Sequence, residues 1–262
     1  NRRSICKGKM LNKAQASFFV IAGLVMVFAA IAGFLIYSKI KTSKIETEAE
    51  KALLALQAEE VEKFVNDCIR KTTSESLQKL GQTGGYLDVP KLISFRGMSY
   101  WHLDQVNIQP FLNQTQQRLL EYVNANTPKC VENENLTKFG FLIDKKEPTA
   151  FMEFGSSDVT LKIIYPIKLS KEGFTKELSE FFNTFDIRYR AIFEAATETN
   201  EKTFDADFDV KNPLKRLDYL RNLDFEIAYK TPETDIIVFT ITDKKSITHL
   251  NELYTFSFAA KL

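Results

Sequence analysis

Residues Phe18 to Tyr37 read FFVIAGLVMVFAAIAGFLIY, twenty residues without a charge or a strongly polar group. At about 1.5 Å per residue a helix of that length covers roughly 30 Å, the thickness of the hydrocarbon core of a bilayer. A helix lying on a soluble core keeps a polar stripe, and this run has none. The competing reading is a helix buried on every side in a large core, which the length and the missing charge disfavour. Beyond Tyr37 the sequence is polar and mixed, so the pattern predicts one bilayer-spanning helix with a soluble body behind it.

The flanks set the expected orientation. Arg2, Arg3, Lys7, Lys9 and Lys13 precede the run with no acid among them, whereas Lys39, Lys41 and Lys44 behind it are soon joined by Glu46, Glu48 and Glu50. The heavier basic flank belongs in the cytoplasm, which puts the body outside the cell membrane. A cleaved secretory signal has a shorter apolar core and a small-x-small exit. This run leads instead into Ser38-Lys39-Ile40-Lys41, so it reads as a retained anchor.

Composition bounds the body. Residues 38–262 are enough for one large domain or two small ones, and a 44% hydrophobic content with 22 Phe supplies a core. A net charge of +1 argues against nucleic acid, which needs a concentrated basic face. Of the three cysteines, Cys6 precedes the anchor and Cys68 and Cys130 follow it. With the body in an oxidising compartment, the even pair Cys68–Cys130 reads as a disulfide; two buried free thiols are the alternative. The two histidines, His102 and His249, are distant in sequence from both cysteines, so no metal site is expected.

The overall expectation is an α+β chain. It comprises a basic cytoplasmic leader (1–14), a transmembrane helix (15–37), a helical stalk (38–80), a first α+β head domain (81–200), and residues 201–262 as a second small unit or a continuation of the same sheet. The head is expected to be mostly antiparallel β. Ile45 to Leu80 contains no Pro or Gly and is rich in helix formers. Val61, Phe64, Val65, Cys68 and Thr72 recur at three and four, and Ala52, Leu53 and Leu56 mark the apolar side of the first half. Gly81 reads as the helix stop, and Gly84-Gly85 as a turn into a short strand. Lys91 to Leu103 reads as a hairpin with Gly97 at its tip, its Tyr100 and Trp101 serving as core or cross-strand pairs rather than as a binding platform. Pro110 opens a second helix over 111–124 that runs down to Pro128 and Cys130.

From Lys138 the period changes to strands, with 139–144, 150–154 and 158–169 as a three-stranded meander. In the last of these Val159, Leu161, Ile163, Tyr165, Ile167 and Leu169 share one face, and Pro166 on the other face implies an edge or a bulge. Glu177 to Glu198 reads either with a strand-like start or with a helix break near Asp186, followed by a helix over 189–197. Further on, the expectations are a short helix over 214–220, strands over 223–230, 235–242 and 253–260, and a turn at Asp243–Ser246.

Chemistry is sparse. No nucleophilic triad, phosphate loop, dinucleotide fingerprint or zinc-protease motif is present, so no enzyme activity and no cofactor are expected. Asp205, Asp207 and Asp209 alternate with apolar residues, but Val210 and Arg216 break the calcium-loop pattern, and a solvated strand face is the simpler reading. Asn113-Gln114-Thr115 and Asn135-Leu136-Thr137 are candidate glycosylation sites if the body is outside.

Two stretches carry a family resemblance. Lys13-Ala14-Gln15-Ala16-Ser17 ahead of the apolar run resembles the processing site of archaeal type IV pilin-like proteins, the class III signal peptide. The resemblance implies cleavage between Ala14 and Gln15 by a prepilin-type peptidase, with the apolar helix left on the mature protein. That family usually has an acid at the fifth mature position, where this chain has Phe19, a departure that counts against filament assembly and leaves processing untouched. A basic flank that merely contains these residues is the alternative. Val65-Asn66-Asp67-Cys68 with Leu80-Gly81 and Gly84-Gly85-Tyr86 is similar to a group of uncharacterised archaeal membrane-anchored proteins. That group has the same start, a VxxC helix, an LGxxGGY turn and a later helix ending in Cys; it implies a layout and no chemistry.

Two functions remain open. One is a pilin-like surface protein embedded in the lipid bilayer, self-associating through the small residues Gly23, Ala29 and Gly33 of its helix. The other is an unprocessed single-pass sensor or ligand-binding head. Phe19 favours the second and the Lys-Ala-Gln start the first.

Overall fold

The computed structural model describes residues 11–133, 136–203 and 224–261. The expectations for Asn135, for Asp205, Asp207 and Asp209, and for a helix over 214–220 lie outside them. The chain divides into two compact units, Asn1–Leu56 and Gln57–Leu262.

The first element, α1, is a helix of 72 residues, Leu11–Gln82. No Pro occurs in it, and its polar half is built from Glu, Ala, Lys, Leu and Gln. Its buried seam runs through Leu54, Ala58, Val61, Val65, Cys68, Ile69, Leu77 and Leu80. The expected apolar side of the first half is corrected by one residue: Leu53 and Leu56 are exposed and Leu54 is buried. With three leucines within four positions, more than one stripe satisfies the helical period. Toward its C-terminus α1 is buried over more of its circumference, and Thr72, Thr73, Ser74 and Ser76 are all buried. Their small side chains permit close packing. The hydroxyls of Thr73, Ser74 and Ser76 donate to carbonyls of Ile69, Lys71 and Thr73, at 2.8, 3.0 and 2.8 Å, so no polar group is stranded.

Gly81 does not stop the helix. The stop comes at Gly84 and Gly85, at φ 71° and 87°, with the Gly85 N–H donating to the Leu80 carbonyl at 2.8 Å. That six-to-one bond closes a glycine cap of the Schellman type. No strand follows: residues 86–90 are irregular and 91–93 form one turn of 3₁₀-helix. β1 (Ser94–Phe95) and β2 (Met98–Leu103) then pair around Arg96-Gly97, as the hairpin reading anticipated, and β3 (Val106–Asn107) folds back onto the end of β2.

α2 spans Leu112–Asn133, longer than expected at its C-terminus because it continues through Pro128. β4 (Leu142–Lys145) and β5 (Thr149–Phe154) both pair antiparallel with β6 (Val159–Lys171), and β7 (Phe174–Phe185) pairs with β6 as well. The meander is therefore corrected. β4 and β5 follow one another along β6 as one interrupted strand, and the third strand is β7. Pro166 marks the interruption. It lies in a bulge between Ile164 and Ile167, where β5 gives way to β4, so β6 is central and Pro166 does not denote an edge. The six alternating residues from Val159 to Leu169 are all buried. α2 covers the open side of β5: Gln116 donates to the Met152 carbonyl at 2.7 Å and Asn124 accepts the Ala150 N–H at 2.8 Å. Helix side chains thus satisfy groups that a bare edge would offer to another chain.

α3 (Tyr189–Thr203) packs on β9 (Ile236–Ile247) and β10 (Leu253–Lys261), which with β8 (Phe225–Glu233) complete the second sheet. Its order is β1-β2-β10-β9-β8, antiparallel except where β10 runs parallel to β2. The expected turn at Asp243–Ser246 lies inside β9. Trp101 fills the centre of this sheet's inner face, fully buried, with ring centroids of Phe258, Phe193 and Phe256 at 4.6, 5.3 and 5.4 Å. It is core, in keeping with the sequence reading.

Candidate functional site

Two features set this chain apart from an ordinary α+β domain: an apolar helical stretch that is not buried among the described residues, and a head clasped around the end of the same helix. Within α1, Ile21–Lys39 is long and apolar enough to cross a membrane, and none of it is buried. Phe28 and Phe34 are 63% and 70% exposed. A Cβ added at Gly23 or Gly33 would meet no atom within 4 Å. Ala29 and Gly33 are one turn apart and share a face, the spacing that allows two helix backbones to approach closely. Ala14 and Gln15 belong to the opening turns of α1.

Cys68 of α1 and Cys130 of α2 form a disulfide with a Cα–Cα distance of 5.7 Å across 62 residues of sequence. The pairing belongs to an oxidising environment.

The LGxxGGY stretch is the joint between helix and sheet. A Cβ at Gly81 would collide with the Thr255 carbonyl and the Tyr254 ring, so the missing side chain lets α1 lie against β10. A Cβ at Gly84 would collide with the Ser99 hydroxyl. The Gly84 carbonyl accepts from Ser99 Oγ at 3.0 Å and from Trp101 Nε1 at 2.9 Å. Tyr254 donates its hydroxyl to the Leu77 carbonyl at 2.7 Å. These residues position; none of them presents a reactive group to solvent.

Asn113 is exposed at the start of α2, but Thr115, the third residue of its sequon, is fully buried. Thr115 Oγ1 donates to the Gly85 and Phe111 carbonyls at 3.2 and 3.3 Å. In the folded chain that hydroxyl belongs to the packing between α2 and the Gly84-Gly85 turn.

The shifted titrations have structural causes. Burial raises the Tyr254 and Tyr189 hydroxyls and pushes Tyr165 up to about 12. Burial lowers His102. Burial also pushes the Asp243 carboxyl up, but hydrogen bonds from Arg188, Ser246 and the Lys245 N–H outweigh it and hold the group below the usual carboxylate range. Among the described residues no group of three His, Cys, Asp or Glu side chains is placed to hold a metal.

The outward face of β5, β6 and β7 carries one aromatic row. Phe151 pairs with Lys162, which pairs with Phe182, and the phenylalanines are 53% and 65% exposed. Lys162 sits 5.3 Å over the Phe182 ring and 3.0 Å from Glu180. Lys162 thus packs on Phe182 and pairs with Glu180 across the strands.

The sequence reading missed Arg188, Asp243 and Tyr254 as organising residues. An acid followed by Lys244-Lys245 carries the composition of a turn, and only the length of the preceding apolar alternation hinted that the strand continues. Comparison with protein-family models, characterised proteins and solved structures gives no match.

Proposed function

We propose that this chain is a single-pass, membrane-anchored surface protein of pilin-like design, with its N-terminus in the cytoplasm and its disulfide-clasped head outside. The observation that carries the reading is the apolar stretch Ile21–Lys39, none of it buried, in the same helix that continues to Gln82. Lipid, or a second copy of the helix against Ala29 and Gly33, supplies the surface that this stretch needs. The basic flank supports the orientation, and the Cys68–Cys130 bond fits an oxidising exterior. The Lys13-Ala14-Gln15 start supports removal of the leader by a prepilin-type peptidase. No catalytic role is part of the proposal. Phe19, in place of an acid, favours a second reading, a bitopic binding head that keeps its leader and stays in the membrane.

The deciding measurement is the N-terminus of the native protein, by intact and peptide mass spectrometry of membranes and of sheared surface material. A mature start at Gln15 supports the pilin-like reading, with material in the sheared fraction extending it to a filament. A leader still carrying Arg2 and Lys7 overturns processing and leaves the bitopic head.

A further inference from the structure

Within the head, α1 is held in two different ways on either side of Cys68. From Gln57 to Asp67 it is docked on one side only. Ala58, Val61 and Val65 are fully buried, while Glu59, Glu60, Lys63 and Asp67 are exposed. Three polar links tie this part to the sheet: Lys171 to Gln57 at 3.2 Å, Lys176 to Glu62 at 2.8 Å and Asn183 to Asn66 at 3.0 Å. An open groove of about 630 Å³ runs beside it, between Glu59, Glu62 and Asn66 of α1 and Lys176 and Phe182 of β7. Such a segment rests on one apolar stripe, with its polar links open to water, and is less buried than the turns that follow it, the direction in which local stability falls.

From Cys68 to Gly81 most of the helix is buried, with Arg70, Lys71, Glu75 and Lys79 left exposed. Cys68, Ile69, Thr72, Thr73, Ser74, Ser76, Leu77, Leu80 and Gly81 are all buried, Tyr254 holds the Leu77 carbonyl, and the Gly84 carbonyl is held by Ser99 and Trp101. The disulfide stands at the boundary. Cys68 is the first residue of the more buried part, and its bond to Cys130 ties that point of α1 covalently to α2.

We infer that the head is a two-stage dock for its own helix: residues 57–67 release from the sheet as a separate unit, and the disulfide stops that release at Cys68. A pull or a twist entering along α1 is then absorbed by the outer turns without opening the core.

Native-state hydrogen exchange on the full chain in detergent micelles tests this. In the oxidised protein, amides of 57–67 are expected to exchange at least tenfold faster than those of 69–81. Reduction of the wild-type protein is expected to speed 69–81 by tenfold or more and to leave 57–67 within threefold. Glu62→Gln, which takes the charge out of one polar link without touching the core, is expected to speed 57–67 by threefold or more and to leave 69–81 unchanged. Equal protection of the two segments in the oxidised protein, or a common response to Glu62→Gln, means that α1 leaves the head as one piece and overturns the inference.

Discussion

Arg188 grips Asp243 from the turn between β7 and α3, its Nε donating to one carboxylate oxygen at 2.9 Å and its Nη2 to the other. The Asp243 side chain is fully buried. Ser246 Oγ donates to the same carboxylate and accepts the Arg188 N–H at 2.8 Å, and the Ile247 N–H donates to the Asp186 carbonyl at 3.2 Å. The four-stranded sheet is thereby tied to the middle of β9 in the other sheet. A two-pronged guanidinium contact has fixed geometry, so the tie sets an angle as well as a distance.

Removing either partner leaves a buried charge alone. Arg188→Met is expected to destabilise the head by about 3–5 kcal/mol in chemical denaturation. The folded carboxyl titrates below its unfolded value, so its contribution is complete above the ordinary carboxylate range and is lost as pH falls through the depressed folded value. Stability should therefore drop below about pH 4, and Asp243→Asn should flatten that drop while lowering stability at pH 7. An unchanged acid limb in Asp243→Asn would show that other carboxylates govern it.

The covalent clasp predicts a large effect of reduction. Closing a loop between residues 62 positions apart is worth about 4 kcal/mol in the chain-entropy account. Cys68→Ser with Cys130→Ser should lower the denaturation midpoint accordingly, and the wild-type protein with reductant should match the double variant. Little change in either would mean that the unfolded chain is already confined near this contact.

Two glycines with similar backbone angles should respond differently. Gly84→Ala puts a side chain at φ 71° against the Ser99 hydroxyl and is expected to cost about 2–4 kcal/mol, strain and overpacking together. Gly97→Asn, at φ 88° at a hairpin tip with nothing within 4 Å of the new Cβ, is expected to cost about 1 kcal/mol or less. Thermal melts of both variants check the contrast.

The apolar stretch makes a prediction outside the head. Val27→Arg places a charge near the middle of Ile21–Lys39, at about 2.5–3.5 kcal/mol against insertion. The variant is expected to move from the carbonate-resistant membrane pellet toward the soluble fraction, whereas Val27→Leu stays in the pellet.

Residues with a single available period were legible in the sequence. Val159, Leu161, Ile163, Tyr165, Ile167 and Leu169 are apolar at every second position and all six are buried, and Gly97 marked its hairpin because few other residues take that angle at low cost. The disulfide followed from counting cysteines on one side of the anchor. What stayed hidden depended on partners distant in sequence. The choice among Leu53, Leu54 and Leu56 is made by the packing of α1, not by its own period. The 174–185 region is phenylalanine-rich, and a bulge shifts its pattern, so its own sequence left strand and helix both open and the pairing with β6 decides it. Pro128 is tolerated inside α2, a case of surroundings overriding local propensity. Asp243 looks like a turn acid until Arg188 is beside it.

The parallel pairing of β10 with β2 imposes an order on biosynthesis. β10 lies between β2 and β9, and its Tyr254 bonds to Leu77, 177 residues earlier. Until residues 253–261 have been synthesised, Trp101, Gly81 and the end of α1 lack the strand they pack against. An apolar helix that has engaged lipid during translation would wait, tethered, for most of the chain to emerge. Contacts of high sequence separation slow folding, because loop-closure entropy is lost before they are gained. Chaperones or oxidants that meet this chain would meet it in that half-assembled interval, with its aromatic core open.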